Sequence, residues 1–168
     1  MTTTIRPEAP TDEDTIEQVT RQAFLSHPYS HQTEQFIICA LRADHALSVA
    51  LVAEDAGRVV GHIAFSPVTI SDGASGWYGL GPISVEPKLQ HRGIGRTLME
   101  RGLAELCKIG ANGCLLVGDP AFYTRFGFAN NPALVLEGVP QEFFLALSLG
   151  ASSACGNVQF HPACQANG

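Results

Sequence analysis

Six residues near the middle of the chain, Gln90-His91-Arg92-Gly93-Ile94-Gly95, place polar and basic side chains and two glycines directly ahead of a helical pattern. The pattern predicts a helix over residues 93–108. Ile94, Leu98, Leu103, Leu106 and Cys107 share one apolar side, while Arg96, Glu100, Arg101, Glu105 and Lys108 are left for solvent, and Gly110 follows as a stop. Two glycines in the first turn cost about 1 kcal/mol each against alanine, so something should compensate. An anion fits. The first N–H groups of a helix have no intrahelical partner, and the macrodipole adds about half a positive charge there. Glycine lets phosphate oxygens come close to the backbone, and His91, Arg92 and Arg96 raise the local positive potential. The competing explanation is a tight turn that needs glycine only for its backbone angles.

A second group follows at Asp119-Pro120-Ala121-Phe122-Tyr123. Asp as N-cap, Pro at the first position and Gly127 as terminator predict a short helix near residues 120–126. Phe122 and Phe126, four apart, are expected to pack inward, with Tyr123 on a different face. Glu54, His27, His31 and His62 could act as bases, but a lone His or Glu is more often structural or solvated. His27 and His31 suggest a metal pair only superficially, because Pro28 spoils helical i,i+4 geometry, and no metal site is expected. Cys39, within an apolar run, reads as buried packing.

The elements that must carry these groups read as a mixed α/β fold. A short strand at residues 4–6 precedes a helix with an acidic start and Ile16, Val19, Ala23 and Phe24 at helical spacing. A second helix is expected over residues 33–42. Two strands rich in Val, Ile and Ala flank the turn Asp55-Ala56-Gly57, and WYGLGPISV forms a third. A further strand is expected at residues 114–117, apolar runs follow at ALVLEG and EFFLALSL, and GNVQFH makes a last strand, with a frayed tail at about 162–168. The sum is a predominantly antiparallel sheet with few helices.

Composition narrows the function classes. A chain of 168 residues fits one domain, 1–168, with 45% hydrophobic and 15% charged residues. A net charge of −6 argues against general affinity for nucleic acid or an anionic membrane. Five cysteines without a CxxC pair, no apolar leader and no run long enough to span a bilayer point to the cytoplasm.

Among phosphate ligands, a Walker loop is absent. The dinucleotide fingerprint fails because Leu98 stands where its third glycine belongs and the strand ends near Val85, although Asp119 at a later strand end keeps that reading open. The block instead resembles the acyl-CoA-binding motif Q/R-x-x-G-x-G/A of the GCN5-related N-acetyltransferase (GNAT) superfamily. The match extends through LGPISVEPKLQHRGIGRTLMERGL and GDPAFYTRFGF, and the likeness is strongest to the YhbS-like branch.

This resemblance implies a GNAT fold: a central sheet of about six to seven strands, splayed at the cofactor strand, with about four helices. It implies that the main chain of Ile83 and Val85 meets pantetheine and that Gln90, His91, Arg92, Gly93, Ile94, Gly95 and Arg96 cradle the pyrophosphate. Gly81 and Pro82 suit the splay, since a bulge and a missing N–H interrupt regular pairing. Tyr123 matches the family tyrosine that serves as general acid to the leaving thiolate. The implied enzyme is an N-acetyltransferase that takes acetyl-CoA as donor to an unidentified amine acceptor by direct attack in a ternary complex. A backbone N–H near Val85 could polarise the thioester carbonyl. A homodimer is a possible assembly. The glutamate base that many members carry six residues before Val85 is Gly79 here. That departure keeps a second reading in view, a non-catalytic acyl-CoA-binding sensor or partner module. The resemblance places the acceptor between the loops at residues 25–35 and 149–156.

Overall fold

The computed structural model describes residues 3–168. In chain order the strands are β1 (Thr3–Pro7), β2 (Val49–Asp55), β3 (Arg58–Pro67), β4 (Thr69–Ile70), β5 (Trp77–Val85), β6 (Gly113–Val117), β7 (Ala129–Asn130), β8 (Leu134–Val135), β9 (Phe144–Ser148) and β10 (Gly156–Gln159). The α-helices are α1 (Glu13–Phe24), α2 (Glu34–Ala43), α3 (Ile94–Lys108) and α4 (Pro120–Tyr123). Seven strands form the main sheet in the order β1-β2-β3-β5-β6-β9-β7, and β4-β10-β8 form a smaller one. In the main sheet β5 and β6 run parallel and the other pairs antiparallel. The expected mixed, mainly antiparallel architecture is what the chain adopts.

Local chemistry explains the first half. Ala56 and Gly57 both take positive φ, 51° and 78°, as a two-residue hairpin turn between right-twisted strands requires. β3 is covered on both sides, so all eight residues from Val59 to Ser66 are buried despite their mixed types. Strand alternation divides the core. Leu51, Ala53, Ile63 and Phe65 pack with α3, whereas Val52 packs with Ile16 of α1 and Ile38 of α2.

The buried stripe of α3 is Ile94, Leu98, Met99, Gly102 and Leu106. Cys107, expected on the apolar side, is exposed, and Leu103 is only half-buried. Gly102 and Met99 take that share of the interface because α3 presses directly on β3. A Cβ on Gly102 would come within 2.5 Å of the Phe65 ring, whose residue is fully buried and cannot swing away. Gly102→Val should therefore destabilise the fold by overpacking, by about 3 kcal/mol. Urea unfolding checks this: the midpoint should fall with the slope unchanged.

Three other expectations are corrected. Cys39 lies on the exposed side of α2, because Ile38 and Leu41 take the buried positions. Partial burial, with Glu17 nearby, pushes its thiol pKa up. The tail does not fray at residue 162. Pro162–Gln165 form a 3-10 turn capped by the His161 ring, which accepts from the Ala163 N–H, and Ala163 is buried against Leu41 and Ala46 of the α2 region. The second strand of the hairpin, expected to run through AGRVVGHIAFSPVTI, is instead two, with β4 leaving the main sheet to pair with β10.

Candidate functional site

The parallel pairing of β5 with β6 covers only Trp77 to Gly79, opposite Gly113 to Leu115. Beyond Gly79 the two strands separate. Leu80 and Ile83 to Val85 stay paired with β3 on one edge, while Leu116 and Val117 pair only with β9. The register of β5 against β3 also shifts, Ile63 opposing Ile83 and Phe65 opposing Leu80, so β5 carries an extra residue at Gly81-Pro82. The backbone groups on the open edge of β5 thus face a cleft instead of a neighbouring strand. This is the splay that the Gly-Pro pair suggested.

The loop after β5 closes one end of that cleft. The Gln90 side-chain amide donates to the Val85 carbonyl at 3.1 Å and ties the loop to the strand end. His91 and Gly93 both have left-handed backbone, φ 64° and 88°. For His91 this conformation is unfavourable, and such outliers concentrate where a ligand dictates the backbone path. Gly93 is the N-cap of α3, with its carbonyl accepting from the Thr97 N–H at 3.0 Å and the Thr97 hydroxyl at 2.9 Å. The next N–H groups, at Ile94, Gly95 and Arg96, are left without an intrahelical acceptor at the positive end of a helix of 15 residues.

The two glycines do different work. Gly93 needs its positive φ. Gly95 does not: a Cβ there would have Val85 and Phe122 as nearest atoms at 3.9 and 4.0 Å, ordinary contact distances. Packing therefore gives no reason for the missing side chain, and what it preserves is the open floor of the cleft.

The cleft has a volume of about 560 Å³ and is lined by Ile83, Val85, Gln90, His91, Gly93, Gly95 and Arg96, all of them predicted, together with Ser84, Leu89, Phe122 and Arg125. Three predicted residues do not line it. Ile94 is buried with its side chain in the core, leaving only its backbone N–H near the loop, Arg92 is exposed, and Tyr123 packs against the core. Arg125 was missed, although it lies inside the segment that drew attention to Tyr123. Its guanidinium stacks 5.2 Å from the centre of the Phe122 ring, on the wall facing the loop. Arg96 has the i,i+4 partner Glu100 at 3.0 Å, but both are well exposed, so the pair holds Arg96 only weakly.

Phe122 and Phe126 pack on the core as expected, and Phe122 also forms a wall of the cleft, in edge contact with Phe126 at 5.4 Å and with Tyr123 at 4.9 Å; Tyr123, expected on a different face, packs against the same core. A helix of four residues, capped by the Asp119 carboxylate on the Ala121 N–H, is too short for periodicity to assign an inner face. Tyr123 stands behind Phe122, its ring against Gly118 and 6.2 Å from Phe128; a Cβ on Gly118 would meet that ring at 2.4 Å. Burial, reinforced by Cys114 and Asp119, pushes the Tyr123 phenol up to about 12.

The candidate bases are spread apart. Glu54 is bound by Arg6 at 2.6 Å, and His27 and His31 are on the exposed loop between α1 and α2. His62 is fully buried, with Glu8 at 2.8 Å. At Gly79 a carboxylate has no room, because the Phe160 ring would lie 2.5 Å from a Cβ there.

The comparisons with known proteins agree with this geometry. The acetyltransferase (GNAT) domain profile matches residues 46–130, which hold β2 through β7 and therefore both walls of the cleft. The uncharacterized N-acetyltransferase YhbS of Escherichia coli K12 is 38% identical over 125 residues, 74% of this chain and 72% of its own. Among solved structures, a GNAT family acetyltransferase from Brucella melitensis in complex with acetyl-CoA is 46% identical, with a TM-score of 0.87 over 98% of this chain and 99% of that one. The Escherichia coli YhbS structure in complex with CoA is 32% identical, with a TM-score of 0.88 over 99% and 93%. With the splayed strands, the glycine-lined helix start and these relatives in agreement, the chain belongs to the GNAT family of acetyltransferases.

Proposed function

We propose that this protein transfers an acetyl group from acetyl-CoA to an amine by direct attack, with residues 83–96 holding the donor. The observation that carries the reading is the open edge of β5 facing the uncovered N–H groups of α3 across one cleft. The backbone of Ile83 and Val85 pairs with the amide groups of pantetheine as an added strand would. The N–H groups at Gly93, Ile94 and Gly95 receive the pyrophosphate, with His91, Arg92 and Arg96 supplying positive charge and Gln90 fixing the loop to Val85. Arg125 adds a cation on the opposite wall.

The chemistry asks for two proton movements. A lysine-type amine has a pKa of about 10.4, so near pH 7 only about 1 in 2,500 molecules is a neutral nucleophile and a proton must be removed first. The second proton goes to the departing thiolate. Tyr123 is assigned as the donor by its match to the family tyrosine; its phenol, held at about 12, stays protonated through neutral pH but is a weaker acid than the thiol it serves. The acceptor is an amine of unassigned identity, reached between residues 25–35 and 149–156. The chain acts in the cytoplasm as one domain over 1–168, alone or as a homodimer.

Thermal shift with acetyl-CoA, CoA and NAD tests the donor. The first two should raise the Tm and NAD should not; no stabilisation by CoA at millimolar concentration would sink the assignment. Free-thiol release over a panel of amino acids, polyamines, peptides and aminoglycosides then tests transfer. One observation favours an acyl-CoA sensor as the second reading: Phe160 occupies the space a Gly79 carboxylate would need. Turnover on any amine above the rate without acceptor decides for the enzyme.

A further inference from the structure

On the face of the sheet opposite α3, a run of polar side chains leads from the cleft to the protein surface. Ser84 lines the cleft, and its hydroxyl is 3.3 Å from that of Thr20 on α1. Directly across the β3–β5 ladder from Ser84 is His62, so the two side chains share a face at the closest cross-strand spacing. His62 is fully buried; its Nε2 is 2.8 Å from the Glu8 carboxylate, and its Nδ1 has no hydrogen-bond partner. Glu8 is partly exposed and accepts from Arg42 Nε at 3.1 Å and Nη2 at 3.2 Å.

The dyad settles which ring nitrogen is free. An ionised carboxylate only accepts, so Nε2 must carry the hydrogen it donates to Glu8, and in the neutral ring Nδ1 is then a bare acceptor. Burial alone would raise the Glu8 pKa, but the bonds from His62 and Arg42 outweigh it and hold the carboxyl below its ordinary range. Other charges on this face come from Asp12 and Arg6, paired at 2.7 Å, from Glu54 of β2 on the same arginine, and from Glu13 of α1 at 3.4 Å from Arg42. At this register β5 contributes only the neutral Ser84.

We propose that His62, oriented by Glu8, receives the proton lost by the acceptor amine, relayed through the Ser84 hydroxyl. This deepens the acetyltransferase reading and rests on it. Ser84 is the member that touches substrate; His62 acts through it, as a positioning and proton-holding residue. The ammonium loses one proton to the Ser84 oxygen as that hydroxyl, turned from Thr20 towards the unpartnered Nδ1, passes its own to the ring. The neutral nitrogen then forms the C–N bond, the C–S bond breaks with its electron pair on sulfur, Tyr123 protonates that thiolate, and the second proton shed by the nitrogen restores the phenol. After the product leaves, the proton on Nδ1 returns through Ser84 to the open cleft, which restores the starting tautomer. The route supplies on β3 and β5 what the missing Gly79 carboxylate does not.

The experiment combines tautomer and kinetics on the intact protein. Nitrogen-15 NMR of the His62 ring should show Nε2 protonated and Nδ1 bare; hydrogen on Nδ1 overturns the proposal. With any amine of the panel that turns over, His62→Gln should lower kcat by about 10²–10⁴-fold with KM for acetyl-CoA unchanged. Ser84→Ala should lower kcat likewise. Glu8→Gln keeps the shape but removes the charge that favours a protonated ring, so it should move the acid limb of the kcat profile to lower pH. That variant decides if His62→Gln does not fold. Turnover with the limb unmoved in Glu8→Gln sinks the proton route alone. CoA binding with no amine turned over sinks the transfer reading and the route together.

Discussion

Gly95→Leu should bind acetyl-CoA and CoA at least about 100-fold more weakly, a loss of roughly 2.7 kcal/mol, while the ligand-free protein becomes no less stable. The two halves of this outcome have separate causes. A Cβ at position 95 meets only ordinary contacts from Val85 and Phe122, and a leucine in the first turn of α3 recovers helix propensity of somewhat under about 1 kcal/mol relative to glycine. The rest of the leucine side chain must project into the cleft, against the helix N-terminus where we propose that the phosphates bind. Thermal unfolding without ligand, followed by the shift on adding CoA, separates the effects in one series. A variant that unfolds early would mean that Gly95 is needed for packing; one that binds CoA normally would move the phosphate site elsewhere. Gly93→Leu offers the contrast. Its φ of 88° makes any side chain strained by about 1–2 kcal/mol, so stability and binding should fall together.

Tyr123→Phe should reduce kcat by up to about 10²–10⁴-fold and leave CoA affinity nearly unchanged. The ring is kept, and with it the edge contacts to Phe122 and Phe128 and the close fit to Gly118, so the wall of the cleft persists. Only the hydroxyl is removed. A thiolate leaving group of pKa about 8.5, by analogy with cysteine, departs without great difficulty, so the smaller end of this range already fits a general acid. The sign of the pH effect also follows. Because burial raises the Tyr123 pKa to about 12, the phenol does not titrate in the working range and no basic limb below about pH 11 should come from it. An unaltered kcat in the phenylalanine variant would remove Tyr123 from the mechanism. A wild-type basic limb near pH 9 that vanishes in the variant would mean that the phenol is far more acidic than its burial allows.

How readily each residue could be inferred depended on the range of the interactions that place it. The start of α3 could be read because its glycines violate helix propensity locally and its basic residues are adjacent in the chain. The bulge at Gly81-Pro82 was readable for the same reason: missing donor and missing Cβ are properties of single residues. The buried stripe of α3 was only partly readable. Periodicity favoured Cys107, but the contact that counts is Phe65 from β3 pressing on Gly102, and no window around residue 102 contains Phe65. Tyr123 was misplaced because a four-residue helix has too few turns to define a face. The small sheet β4-β10-β8 pairs two-residue segments with partners far along the chain, Val158 with Ile70 and Gly156 with Leu134, which carry almost no local signal.

The sequence by itself determined that a helix start with two glycines and adjacent basic residues follows a strand that cannot pair regularly, and that a capped aromatic segment lies downstream. Those are consequences of backbone freedom, missing donors and charge, all carried by neighbouring residues. Only the tertiary structure decided that Gly95 is bare for the sake of the cleft, that Phe122 and Arg125 form its other wall, and that Phe160 fills the space beside Gly79. It alone set His62 opposite Ser84 with one ring nitrogen held by Glu8. Strand register and the packing of one layer on another join residues dozens of positions apart, and the energy that selects them exists only once the layers meet.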